Sequence, residues 1–187
     1  MKRRLAVATV LALFLTMLAG CGGIEVQVAP KDKLSASIKT LAVMEFGDVR
    51  QTKEKSAYDN PAKIIQEKII TGLASQGTFK IIEREQLDKI LAEQRLQAAG
   101  LIDNASAVEL GKMLGADGIM IGTITEYGRT IYPKARLTVN VRVVDVKTGS
   151  VKWATEIKGR KSNYAYPVEL LKDIIDETVA KLLAEIQ

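Results

Sequence analysis

Apolar and polar positions alternate along this chain with two periods, and each change of period marks an element. Leu41-Ala42-Val43-Met44-Glu45-Phe46 is a short apolar run that reads as the first strand of the folded part. A polar connection from Gly47 to Asn60 follows, long enough to be either a mobile segment or a working surface. Asn60-Pro61 then supplies a cap and a first-turn proline for a helix in which Ile65, Ile69 and Leu73 recur at helical spacing before Gly77 ends it. Phe79-Lys80-Ile81-Ile82 predicts a second strand. Leu87, Ile90, Leu91 and Leu96 draw the face of the next helix, which stops at Ala99-Gly100. Another helix comes at once: Asp103 or Asn104 caps it, Val108, Leu110, Met113 and Leu114 are its apolar positions, and Gly115 closes it. Gly118 to Ile124, GIMIGTI, is too short for a helix and predicts a buried strand.

Beyond Ile124 the pattern predicts a turn through Tyr127-Gly128 and then a strict alternation. Leu137, Val139, Val141, Val143 and Val146 fall near one face, with Thr138, Asn140 and Arg142 on the other, as in a strand with one wet face. Lys147-Thr148-Gly149-Ser150 supplies a hairpin turn, and Val151, Trp153 and the residues to Ile157 form the returning strand. Pro167 opens a last helix whose Leu171, Ile174, Ile175, Val179, Leu182 and Ile186 make a wide apolar stripe, with Asp173, Glu177, Lys181 and Glu185 on its solvated side. The resulting order of strands and helices predicts an α/β fold, a single compact domain over residues 40–187 with a mixed sheet and flanking helices.

The N-terminus carries a different signal. Lys2-Arg3-Arg4 precedes the uncharged run Leu5 to Leu18, which is the pattern of a secretory signal peptide over residues 1–20 and is too short for a spanning helix. Leu18-Ala19-Gly20-Cys21 resembles the bacterial lipobox, in which the signal is cut before the cysteine and the sulfur carries diacylglycerol. Cys21 is the only cysteine, so no intramolecular disulfide can form in the oxidising compartment to which the signal leads. One acyl chain anchors only marginally, whereas the two or three chains of such a cysteine hold firmly. Gly22, where an aspartate would favour retention in the inner membrane, points to the outer membrane with the domain facing the periplasm. Residues 21–39 read as the lipidated N-terminus and a tether, a mixed stretch with Gly, Pro and Ser and no sustained period. Ile24, Val26 and Val28 alternate like a short strand, so a docking segment is the other reading.

Cleavage also changes the charge. Loss of Lys2, Arg3 and Arg4 takes the formal charge from +5 to +2, and no block of five like charges remains, which removes the electrostatic case for nucleic acid. The chain has no histidine, which excludes catalytic triads, Cys-His dyads and the usual zinc and copper ligand sets. Asp173 and Asp176 stand three apart on a helix with no second carboxylate pair or calcium-loop glycine to support them. Lys147-Thr148-Gly149 matches an element of penicillin-binding enzymes, but the S-x-x-K nucleophile is missing from the mature chain. Gly115, Gly118 and Gly122 fit neither phosphate-binding spacing and read as helix stop, strand entry and close packing. No catalytic residue, metal site, cofactor or small-molecule substrate is expected. Tyr58, Tyr127, Tyr132, Tyr164 and Tyr166 fall in expected loops or strand ends, and Tyr132, Tyr164 and Tyr166, beside Pro133 and Pro167, are the candidate partner contacts.

Glu83-Arg84, Leu87, Ile90-Leu91, Glu93-Gln94, Leu96, Gly100, Asp103, Ala107, Gly111, Leu114-Gly115-Ala116-Asp117, Ile119, Gly122 and Ile124 together resemble the signature of the CsgG-like family of bacterial outer-membrane lipoproteins, over roughly Thr40 to Val151. ER-x-x-L followed by LGAD-x-I-x-x-G is far more specific than either piece. The resemblance implies a fold similar to anticodon-binding domains. It also implies a non-catalytic, lipid-anchored protein that oligomerises as a ring or binds envelope proteins, as an accessory in secretion or in assembly of a curli-like surface organelle. Founding members form pores through two long transmembrane hairpins. The corresponding stretches here, Gly128 to Lys134 and Arg160 to Tyr166, have seven residues each, against two strands of about 9 to 11 residues for a hairpin. Two alternatives stand beside this reading: an activator of a peptidoglycan synthase, as small lipoproteins of similar fold are, and a subunit of a secretion pore whose barrel a partner supplies. An enzyme working with carboxylates alone is a further class, which needs an acidic pocket that the near-neutral mature chain does not advertise.

Overall fold

The structure, a computed structural model, describes residues 23–28, 34–50, 60–83, 85, 87, 89, 103–129, 134–162 and 167–186. Seven strands form one mixed sheet: β1 (Gly23–Val28), β2 (Thr40–Val43), β3 (Gly47–Asp48), β4 (Lys80–Ile81), β5 (Gly118–Arg129), β6 (Lys134–Asp145) and β7 (Val151–Ser162). Three helices accompany them, α1 (Pro61–Gln76), α2 (Asn104–Leu114) and α3 (Pro167–Glu185), with one helical turn at Leu34–Ser37. Across the sheet the order is β1-β7-β6-β5-β2-β4, and β3 continues beside β5. The β2, β3, β4 and β5 pairings are parallel, and β1, β7, β6 and β5 pair antiparallel. The α/β fold with a mixed sheet and flanking helices is therefore as the pattern predicts.

The tether reading of residues 21–39 does not hold for its central part. Gly23–Val28 is an edge strand laid antiparallel on β7 with Gly23 opposite Arg160 and Val28 opposite Thr155. Its Ile24 and Val26 pack half-buried against the core, and Thr155 Oγ1 donates to Gln27 O at 3.0 Å. Leu34 and Ile38 are buried as well, so the described fold includes β1 and the helical turn ahead of residue 40. The physical reason is alternation: two apolar side chains on one face suffice for an edge strand whose other face stays wet.

Helices α1 and α3 cover one face. Ile65, Ile69 and Leu73 of α1 and Leu171, Ile174, Ile175, Val179 and Leu182 of α3 pack with Leu137, Val139, Val141, Val143 and Trp153 of the sheet. Each such aliphatic chain contributes about 1.5–3 kcal/mol by leaving water. Asn60 caps α1 by accepting from Lys63 N at 3.1 Å, and Gly77 ends it in the left-handed conformation at φ 68°. Buried Gln66 donates from Nε2 to Val43 O at 2.9 Å, occupying the carbonyl at the point where β2 ends. Glu45 and Phe46, expected in that strand, lie between β2 and β3.

Among the described residues, α2 and Leu87 cover part of the second face. Ala107, Leu110 and Leu114 of α2, with Leu87, pack on Ala42, Met44, Ile119, Ile121, Val144 and Val146. Asp103, and not Asn104, caps α2, accepting from Ser106 N at 2.7 Å. Met113, expected in the apolar stripe, is 48% exposed. Val146 also belongs to this second face, because a register shift at Val143/Val144 interrupts the alternation. Nor does the chain turn at Tyr127-Gly128: β5 runs on to Arg129, passing a bulge between Ile124 and Glu126. Of the helix expected through Leu96, Ile90 and everything after it lie outside the described residues.

Candidate interaction surface

The family signature proves to be structural where the described residues show it. Gly111 lies against Val146 so closely that a Cβ would overlap its methyl groups, and Gly122 likewise faces the ring of Phe46. At Gly118 a Cβ would stand 2.7 Å from Ile38 Cδ1. Gly115 closes α2 at φ 64°, a conformation that glycine adopts without steric cost. Asp117 joins three segments: its Oδ2 accepts from Lys39 N at 3.0 Å and Thr40 N at 2.8 Å, its own N–H donates to Thr40 O, and its carbonyl accepts from Val146 N. These contacts tie the starts of β2 and β5 to the end of β6. None of these residues points a reactive group into a cleft.

The other candidates for chemistry resolve in the same way. Asp176 pairs with Lys68 at 2.6 Å, while Asp173 and Glu177 both pair with Lys161, so Asp173 and Asp176 serve separate surface ion pairs. Lys147-Thr148-Gly149 is the expected hairpin turn. Gly149 sits at φ 71° and its N–H donates to Asp145 O. Burial raises the Asp145 pKa, but the Thr148 N–H and hydroxyl, the Lys147 N–H and the charge of Lys152 outweigh it and hold the carboxyl below its ordinary value. Among the described residues no three acidic or sulfur ligands gather where a metal could bind.

Tyr127 was expected at a strand end or loop, and it is buried in β5 with the Arg50 guanidinium 5.1 Å above its ring. Arg50 is itself held by Asp48, through Nε to Oδ1 at 2.7 Å and a second nitrogen to Oδ2 at 2.6 Å, and donates to Tyr127 O at 3.1 Å. The start of the Gly47 to Asn60 connection is thereby pinned to β5, and residues 51–59 lie outside the described residues. Cys21, Tyr58, Tyr132, Tyr164 and Tyr166 lie outside them too. The register nevertheless brings their neighbours together: Arg129, Lys134, Ser162 and Gly23 all stand at one end of the sheet.

What sequence reading missed is the surface between these landmarks. On the face opposite α1 and α3, beyond the part covered by α2, no element among the described residues packs on the sheet, where Thr138 is buried and Glu126, Asn140, Glu156 and Lys158 are half-buried. Its rungs read Gln27, Glu156, Asn140, Thr123; then Glu25, Lys158, Thr138, Glu126; then Gly23, Arg160, Arg136, Gly128. Glu156 pairs with Lys158 at 2.6 Å and Glu126 with Arg136 at 3.2 Å. Thr138 Oγ1 donates to Glu126 Oε2 at 3.1 Å. Arg142 Nε donates to Asn104 Oδ1 at 3.2 Å and marks where α2 begins to cover the sheet. An open depression between Gln27, Asn140, Arg142, Ala154 and Glu156 lies beside that border. The wet face of β6 was legible from Thr138, Asn140 and Arg142, but its extension over β7 and β1 needed the strand order.

The family model described as curli production assembly/transport component CsgG matches residues 26–181. The chain belongs to the CsgG family. In this CsgG-family chain the matched residues run from within β1 to within α3. Its fold is similar to that of the PelC dodecamer from Paraburkholderia phytofirmans, at TM-score 0.57 and 15% identity over 88% of this chain and 98% of that one. It is also similar to lipoprotein GNA1162 from Neisseria meningitidis, at TM-score 0.57 and 14% identity over 78% of this chain and 99% of that one. At such identities the likeness is one of fold. No curated protein sequence matches the chain.

Proposed function

We propose that this CsgG-family protein is a non-catalytic lipoprotein, anchored in the outer membrane through acylated Cys21 and facing the periplasm, which assembles with copies of itself and with envelope proteins in secretion or surface-organelle assembly. The observation that carries the reading is the mixed-charge sheet face over β1, β7 and β6, on which no element among the described residues packs. Its ion-paired Glu, Lys and Arg suit a polar partner. The described signature residues support it by being spent on architecture, Gly111, Gly118 and Gly122 on close packing and Asp117 on main-chain N–H groups. The dodecameric state of PelC, a protein of similar fold, supports self-association.

Chemical crosslinking of the lipidated protein in intact cells, with mass identification of the adducts, tests the proposal. A ladder of self-adducts that closes at one size is the expected result. A single adduct with a peptidoglycan synthase would replace assembly by regulation, and a protein without adducts at any reagent concentration would refute both.

A further inference from the structure

We infer that the end of the sheet where β1 begins docks on anionic phospholipid headgroups through Arg136, Arg160 and Lys134. The inference rests on the lipid anchor proposed above. Gly23 is the first residue of β1, and only Gly22 separates it from Cys21, so the two chain steps span at most about 7 Å at roughly 3.3–3.6 Å per residue. An acylated Cys21 therefore holds this end against the bilayer, because the strand leaves no free tether between anchor and domain.

The residues at that end suit phosphate. Arg160 and Arg136 are directly opposite each other on the mixed-charge face, and the rung is completed by Gly23 on one side and Gly128 on the other. Like charges directly opposite across a strand pair destabilise it unless a counter-charge sits between them. Arg136 has a partial partner in Glu126, whereas Arg160 is exposed and makes no ion pair with the described residues. The flanking glycines leave both guanidinium groups open along the rung. Lys134, paired with Ser162, adds a further exposed cation at the next position towards the end. Guanidinium groups take phosphate oxygens in bidentate geometry, and basic clusters beside a membrane anchor are drawn to anionic lipid.

Because Cys21 is the only cysteine and its sulfur is acylated, one introduced cysteine gives a unique spin-label site in the full lipidated chain. Labels at Ser162→Cys and, separately, at Lys147→Cys in the far turn are compared in vesicles with and without phosphatidylglycerol, using a nickel-chelating lipid as relaxant. The expected result is relaxation at residue 162 several-fold above that at residue 147, dependent on phosphatidylglycerol. Combining Arg136→Gln and Arg160→Gln is expected to reduce it to the level that residue 162 shows without phosphatidylglycerol, where the acyl anchor acts alone, with the thermal melt and the acyl mass on the N-terminal peptide unchanged. Equal relaxation at the two sites, indifference to the anionic lipid, or full relaxation in the double variant would overturn the docking surface. An N-terminal peptide without acyl mass would overturn the anchor instead, and with it the placement of this end at a bilayer.

Discussion

The ring of Phe46 occupies the space that a side chain on Gly122 would need. Phe46 lies in the crossing from β2 to β3, and Gly122 is in the middle of β5, so this one contact seats the crossing strand on the sheet's centre. Gly122→Val is expected to cost at least the roughly 1–3 kcal/mol of an overpacked core, read as a lowered melting temperature. Phe46→Leu in the same chain should recover part of the loss, since the two positions share one volume. A Gly122→Val protein that melts like wild type yet loses its partners would show that the glycine serves recognition.

Asp117→Ala removes an acceptor used by two main-chain N–H groups. Net loss for such bonds is about 1 kcal/mol each, more where the donor stays unsatisfied. Denaturant melts should show about 1–3 kcal/mol of destabilisation, and amide exchange should quicken first at Lys39 and Thr40.

The lowered pKa of Asp145 fixes a sign for acid stability. A carboxyl depressed in the fold contributes stability that is present above its unfolded value, about 3.9, and is lost as pH falls through the folded value. Asp145→Asn is therefore expected to be less stable than wild type at neutral pH, with the difference shrinking below about pH 4 as the wild-type carboxyl protonates. Melts of both proteins across pH 3–7 check this, and a gap independent of pH would assign the effect to packing.

Cys21→Ser should release the protein from membranes into the periplasmic fraction without changing its melt, because Cys21 precedes β1, the first strand of the described fold. Fractionation of cells expressing each form reads the result directly.

Most of the fold was legible because its signals were local. Asn60, Gly77 and Gly115 mark helix ends by capping chemistry that needs no partner, and the stripe of α3 from Leu171 to Ile186 is wide enough to be unambiguous. What failed depended on pairing. β1 has only Ile24 and Val26 against the core, too little pattern to distinguish a strand from a linker until β7 is known to lie beside it. The bulge between Ile124 and Glu126 let β5 continue where Tyr127-Gly128 resembled a turn, and the shift at Val143/Val144 moved Val146 across the sheet. The mixed-charge face was half visible, as the polar positions of β6, while its joining to Glu156, Lys158, Glu25 and Gln27 is a property of strand order. Likewise the basic rung brings Arg136 and Arg160 together from two strands, and only the register does so.

A photo-reactive amino acid placed at Asn140, within the mixed-charge face, and in a second strain at Glu67, on the outer side of α1, tests most directly whether that face is the working surface. The account predicts strong adducts from residue 140 in intact cells, to a second copy or to another envelope protein, and weak ones from residue 67. Adducts from residue 67 with none from residue 140 would contradict it and move the working surface to the helical side of the sheet.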